Sequence, residues 1–247
     1  MKTLIISDIH ANMIALEAVW KQENDADRIV CAGDLVDYGP HPVEVIEWMM
    51  DRQVTVVRGN HDQLVLDAAE GSLQDEEKTW RMHNASLLSP VHIDYLNQLP
   101  MERVLEIDGE SYGLAHSYLT DYEIIRSVEV FEQQARDRFR NPDLKHMIFG
   151  HTHRRELHCL SDTQSWLNPG SISYRRCDET WRGAHYAVIQ DGLIKLRSAE
   201  YAVDILYERL LSLNLVAHQK QPAFTWWMPE LVASTSPGNR GMLTPTT

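Results

Sequence analysis

The chain has 247 residues, 43% of them apolar and 24% charged, which suits one sizeable core and excludes a wholly disordered polypeptide. Its formal charge of −13 opposes a general grip on nucleic acid, and no polybasic or long apolar segment points to a membrane partner. Three cysteines (Cys31, Cys159 and Cys177) are too few and too scattered for a disulfide framework, so a reducing cytoplasm is the expected setting.

The first predicted strand covers Leu4-Ile5-Ile6 and runs into Ser7-Asp8-Ile9-His10. Short β-branched runs closed by small or polar residues read as buried strands. Asn12 to Glu23 then carries Ile14, Ala15, Ala18 and Val19 at helical spacing. A second strand, Ile29-Val30-Cys31, ends in Ala32-Gly33-Asp34, and Pro42 to Met50 reads as the second helix. A third strand, Val54 to Val57, ends in Arg58-Gly59-Asn60-His61-Asp62. This alternation predicts parallel strands joined by helical crossovers. From Gln63 to Leu99 the pattern is mostly helical, with Ser89-Pro90 as N-cap and first helical position. The second half is richer in strands. Asp108-Gly109 and Asp191-Gly192 each separate two apolar runs and read as hairpin turns. Helices are expected over Ser127 to Arg138 and Val203 to Leu213. The organisation expected is one domain over residues 1–216 with a helical insert or cap at 63–99, and a C-terminal extension over 217–247 whose Trp226-Trp227 pair could dock on the body.

Strand after strand ends in a potential metal ligand. Asp8 and His10 close the first, Asp34 the second, Asn60 and His61 the third. His116 follows Tyr112 to Ala115, and His151 and His153 follow Met147-Ile148-Phe149-Gly150. Ligand sites gather at the carboxyl ends of strands in α/β sheets, so these residues are expected to converge on one edge. Two divalent cations about 3.5–4 Å apart need a bridging carboxylate and several neutral or anionic donors. Aspartate, imidazole and an asparagine carbonyl are such donors. Taken singly each piece has an ordinary reading: Asp8 or Asp62 as a helix cap, Gly33-Asp34 as a turn, His116 as a core histidine. Their joint occurrence at successive strand ends favours the metal site.

These segments resemble the calcineurin-like metallophosphoesterases, in their small prokaryotic phosphodiesterase branch. The residues that carry the likeness are Ser7-Asp8-Ile9-His10-Ala11-Asn12, Gly33-Asp34-Leu35-Val36-Asp37-Tyr38-Gly39-Pro40, Gly59-Asn60-His61-Asp62, His116, Gly150-His151-Thr152-His153 and Asn168-Pro169-Gly170-Ser171. The resemblance runs from residue 1 to about Leu196 and implies an α/β fold of four αββα layers, two mixed β-sheets flanked by helices. It implies that Asp8, His10 and His153 hold one metal, that Asn60, His116 and His151 hold a second, and that Asp34 bridges them. Manganese is the expected ion, with iron, nickel or zinc suited to the same donors. His61 takes the role of general acid, with Asp62 as its hydrogen-bond partner. Asn12, Arg58, Arg176 and Arg182 are candidates for holding substrate oxygens.

The chain also departs from the pattern. Ala11 stands where the branch usually has glycine, and Ser117-Tyr118-Leu119 replaces Gly-Ser-Pro. Tyr38 stands where protein serine/threonine phosphatases and symmetrical dinucleoside tetraphosphate hydrolases carry an arginine. The activity expected is hydrolysis of a small phosphodiester by a metal-activated hydroxide. The enzyme alternatives are a phosphomonoesterase, a nucleotidase or an asymmetrical dinucleoside tetraphosphate hydrolase. The non-enzyme alternative is a catalytically silent scaffold on the same fold.

Overall fold

The computed structural model describes residues 1–72, 78–117, 124–173, 181 and 183–213. Its first half alternates: β1 (Thr3–Ile6), α1 (Met13–Glu23), β2 (Arg28–Cys31), α2 (Pro42–Asp51), β3 (Thr55–Val56) and α3 (Asn60–Ala69). Two further helices follow, α4 (Lys78–Leu87) and α5 (Pro90–Gln98). Then come β4 (Glu102–Ile107), β5 (Glu110–Ala115), α6 (Val128–Asp137) and β6 (His146–Ile148). The last elements are β7 (Arg155–Cys159), β8 (Ser165–Pro169), β9 (Gly183–Gln190), β10 (Leu193–Glu200) and α7 (Val203–Ser212).

The strands form two five-stranded sheets, in the orders β10-β9-β1-β2-β3 and β4-β5-β6-β8-β7. Each is mixed. In the first, β1, β2 and β3 are parallel while β9 runs against β1 and β10. In the second, β5, β6 and β8 are parallel while β4 and β7 run against their neighbours.

Strand periodicity explains the layering. Side chains alternate faces along a strand, so Ile5 of β1 points one way and Leu4 and Ile6 the other. Ile5, Val30, Ala187 and Ile189 meet Tyr112, Leu114, Ile148 and Leu167 between the two sheets. Leu4, Ile6 and Cys31 pack on the opposite face beneath Leu16 and Val19 of α1 and Ile46 and Met49 of α2. On the far side, Met147 and Trp166 pack with Phe131 and Ala135 of α6. Burying each large apolar side chain contributes about 1.5–3 kcal/mol. The result is an αββα sandwich.

Both hairpin turns have the backbone that Asp-Gly favours. Asp108 (φ 52°) and Gly109 (φ 83°) are left-handed, as are Asp191 (φ 53°) and Gly192 (φ 71°). The two mixed sheets are those the resemblance implies; strand alternation alone points to one shared edge, whereas the strands that carry the candidate ligands divide between both sheets. The β7–β8 hairpin stands where no strands were expected. Trp226-Trp227 lies outside the described residues. Among the described helices, none is long and apolar enough to cross a membrane.

Candidate metal centre

Parallel strands deliver their following loops to the same end. The loops after β1, β2 and β3 carry Asp8 and His10, Asp34, and Asn60; those after β5 and β6 carry His116, and His151 and His153. Hydrogen bonds tie these loops together within and across the sheets. Asp8 N donates to Gly33 O at 2.9 Å, and Gly150 N donates to His116 O at 2.8 Å. His116 Nδ1 donates across the sandwich to Ala32 O at 2.7 Å, which leaves Nε2 to face the site.

The loops are strained where they present ligands. Asp8, His10, Asp34, His151 and His153 all have φ between 47° and 65°, a region that costs a residue with a side chain about 1–2 kcal/mol. Ala11 (φ 51°) shares it, which explains why glycine suits that position. Approach is also close. A Cβ on Gly59 would overlap the Asp34 carboxylate, and one on Gly150 would overlap Ser7 Oγ and Asp8 Oδ2.

Two groups of donors result. Asp8, His10 and His153 form the first: His153 Nε2 is 3.0 Å and His10 Nε2 4.0 Å from Asp8 Oδ1. Asn60 Oδ1 centres the second, 2.9 Å from both His116 Nε2 and His151 Nδ1. Asp34 stands between them. Its Oδ2 is 3.1 Å from His116 Nε2 and 3.9 Å from His10 Nε2. Its Oδ1 accepts from His61 N at 2.8 Å, at the start of α3. Donors around a cation with bonds of about 2.1 Å lie about 3.0–3.4 Å apart when adjacent and up to about 4.2 Å apart when opposite, so separations of this size fit divalent metals.

The electrostatics also fit. Burial raises the Asp8 carboxyl, but the charge and hydrogen bond of His153 outweigh it and bring it down to about 2. Burial, then the His61 charge, drive His10 down to about 3, and burial with His116 drives His151 down to about 4. Anionic carboxylates and neutral imidazoles are the forms that bind metals. His116 differs: burial opposes its charge, but Asp34 and Asp8 raise it to about 10. The carboxylate field that holds a proton there is the field a cation would occupy.

His61 lies beside this cluster, its ring centre 4.9 Å from that of His10. Its partner is not the expected Asp62. His61 Nδ1 is 2.7 Å from Asp37 Oδ2. Neighbouring residues on a helix point apart, and Asp62 turns back to the N-terminus of α3. There it accepts four backbone N–H groups: Leu35 and Val36 on Oδ1 (2.7 and 3.2 Å), Gly59 and Asp34 on Oδ2 (2.8 and 3.1 Å). Asp62 therefore binds the β2 and β3 loops together and holds Asp34 in place.

Asn12 is buried; it caps α1 by accepting from Ala15 N at 3.1 Å and donates to Ser173 Oγ at 3.0 Å. Arg58 is half-buried, with its amide on Pro100 O, and among the described residues no hydrogen bond or ion pair ties its guanidinium to the candidate ligands. Arg176 and Arg182 lie outside the described residues.

Sequence reasoning missed several supports. Asn168 donates to Gly150 O at 2.6 Å and Thr152 Oγ1 at 3.0 Å, and Ser171 Oγ donates to Asp8 O at 2.9 Å. The Asn168-Pro169-Gly170-Ser171 motif thus props the loops of both donor groups. Asp37 had a local signal, since it lies three residues after Asp34 in a quoted motif. Arg81 and Asn84 on α4, which touch the Asp37 loop, had none.

Comparison with known proteins agrees with the geometry. The family model of the calcineurin-like phosphoesterase superfamily domain matches residues 1–190. An uncharacterized protein of Methanocaldococcus jannaschii is 27% identical over 232 residues, 85% of this chain and 92% of that one. The symmetrical bis(5'-nucleosyl)-tetraphosphatase of Klebsiella pneumoniae (strain 342) is 31% identical over 143 residues, 56% of this chain but only 49% of that enzyme. A metallophosphoesterase crystal structure from Sphaerobacter thermophilus shares the fold with a TM-score of 0.69 and 24% identity, covering 88% of this chain and 97% of that one. With a family match over most of its length and clustered donors at its strand ends, the chain belongs to the calcineurin-like phosphoesterase superfamily and is a metal-dependent phosphoester hydrolase.

Proposed function

We propose that the chain hydrolyses phosphodiesters, with two divalent cations held by Asp8, His10 and His153 on one side and Asn60, His116 and His151 on the other, and with Asp34 shared. Manganese is our choice among the ions that accept mixed nitrogen and oxygen donors, ahead of iron, nickel and zinc. When bound, the cations supply charge neutralisation on the phosphoryl oxygens and a nucleophilic water at neutral pH.

The protein's own residues supply the rest. Burial lowers the His61 imidazole, but the Asp34 charge and the Asp37 hydrogen bond outweigh it and raise it above its ordinary 6.5. A protonated His61 engaged at Nδ1 by Asp37 has Nε2 left to donate. A water oxygen bonds to phosphorus while the bond to the leaving oxygen breaks. That oxygen keeps the electron pair and takes the His61 proton, and the proton lost by water restores the imidazolium. One water is consumed, and a phosphomonoester and an alcohol are formed.

The preference for diesters rests on Tyr38. Its ring centre is 4.8 Å from that of His61 and 5.2 Å from that of His10. An aromatic face there suits an ester substituent, whereas a guanidinium would clamp a terminal phosphate dianion. A second reading, nucleoside polyphosphate hydrolysis, is favoured by the Klebsiella pneumoniae relative. Rates on paired aryl phosphodiesters, aryl phosphomonoesters and a dinucleoside tetraphosphate, with Mn²⁺ and after chelation, test these readings. Diester turnover that leads the panel and vanishes on chelation is expected. Monoester or tetraphosphate turnover in the lead would overturn the diester assignment, and metal uptake without any turnover would favour a silent scaffold.

A further inference from the structure

Helix α4 carries none of the metal donors, yet it grips the loop that backs His61. Arg81 Nε donates to Asp37 Oδ2 at 3.0 Å, the same oxygen that lies 2.7 Å from His61 Nδ1. One turn further along, the buried Asn84 accepts from Asp37 N and donates to Gly39 O, both at 3.0 Å. Side chain and backbone of Asp37 are thus both held from one helix. The helix itself is anchored by Trp80, which is buried against Leu206 and Leu210 of α7, with Tyr38 packed at the edge of the same cluster.

The loop needs such a grip. Asp37 (φ 75°) and Tyr38 (φ 62°) are both left-handed, and non-glycine residues stay there only when their surroundings hold them. Asp37 Oδ1 is held locally, accepting from Tyr38 N at 2.8 Å, while Oδ2 takes both side-chain donors. Fixing Oδ2 between an imidazole and a guanidinium defines where the imidazole ring points. Arg81 is itself largely buried, with 15% of its side chain exposed, so solvent screens the pair little.

We propose that Arg81 is a positioning residue for proton transfer: it fixes the Asp37 carboxylate so that His61 presents its other ring nitrogen to the leaving oxygen. This rests on the reading of His61 as the proton donor. Arg81 acts through Asp37 and His61, and its contribution therefore exists only while His61 is present.

The experiment is a double-mutant cycle read across leaving groups. Wild type, Arg81→Ala, Arg81→Lys, His61→Ala and the His61→Ala/Arg81→Ala double variant are assayed with Mn²⁺. The substrates are aryl phosphodiesters whose leaving phenols run from strongly to weakly acidic. A weakly acidic phenol needs the proton most. Arg81→Ala is expected to lower kcat about tenfold on the phenyl ester, less than the 10²–10⁴-fold that the positioned acid itself contributes. It is expected to lower kcat only a few-fold on the most acidic phenol, with KM nearly constant. In the His61→Ala background the same change is expected to cost nothing further. Arg81→Lys, which keeps the charge but loses the Nε geometry, is expected to fall between, and it carries the test should Arg81→Ala unfold.

A loss that is equal for every leaving group, or that adds fully to His61→Ala, would overturn the proposal and assign Arg81 to substrate binding or to the fold. A wild-type chain without phosphoester turnover would overturn the functional reading and this inference together. A wild type whose His61 dependence follows the leaving group, beside an Arg81 series that does not, would overturn the inference alone.

Discussion

Replacing Asp62 by asparagine separates the two roles that this carboxylate could have. In the structure its oxygens accept four buried backbone N–H groups, two on each. Asparagine keeps one carbonyl oxygen and turns the other position into a donor. Whichever way the amide lies, two N–H groups lose their acceptor: either Leu35 and Val36, or Asp34 and Gly59. A buried donor left unsatisfied costs about 1–3 kcal/mol, so Asp62→Asn should destabilise by about 2–6 kcal/mol. For a domain of 150–250 residues each kcal/mol lowers Tm by about 2–4 °C, and a mid-range loss corresponds to a fall of about 8–16 °C. Thermal and urea unfolding followed by circular dichroism, with chelator present so that metal binding does not contribute, would measure it. A Tm within about 2 °C of wild type, combined with strongly reduced turnover, would refute this account and return Asp62 to His61.

Other substitutions probe neighbouring contacts. His61→Ala should lower kcat by about 10²–10⁴-fold while the metal content of the purified protein, read by elemental analysis, stays at the wild-type level. Asn12→Ala removes the cap on α1 and the bond to Ser173, and should destabilise by about 1–2 kcal/mol in urea titrations. Burial raises the Asp37 carboxyl, but its His61 hydrogen bond outweighs this and holds it below its ordinary 3.8. Its contribution to stability is therefore complete above about pH 4 and is lost as the pH falls through the folded value. The stability gap between wild type and Asp37→Asn should be widest near neutrality and shrink below pH 4 in unfolding curves taken across that range.

Much of the site was legible because strand ends and turns are local chemistry. Apolar β-branched runs stopped by Asp, Asn or His announced both the strands and what they carry. Sheet membership was less legible. Whether β5 and β6 join β1 or form a second sheet depends on pairings between distant segments, which alternation along one strand does not encode. The β7–β8 hairpin was missed for two reasons. Arg155 to Cys159 is charged and only partly buried, and Ser165 to Pro169 ends in a proline, which reads as a strand breaker. The proline is tolerated there because it closes the strand. Asp62 was misassigned through adjacency in sequence, although its position in the first turn of α3 marks it as a capping carboxylate. The grip of Arg81 and Asn84 on Asp37 spans 44 and 47 residues and has no local signature.

Crystals grown with Mn²⁺ and measured near its absorption edge test the central claim most directly. The account predicts two anomalous peaks about 3.5–4 Å apart, one beside Asp8, His10 and His153 and one beside Asn60, His116 and His151, with the Asp34 carboxylate touching both. Absence of density next to Asp34, or a lone ion bound elsewhere on the surface, would contradict it.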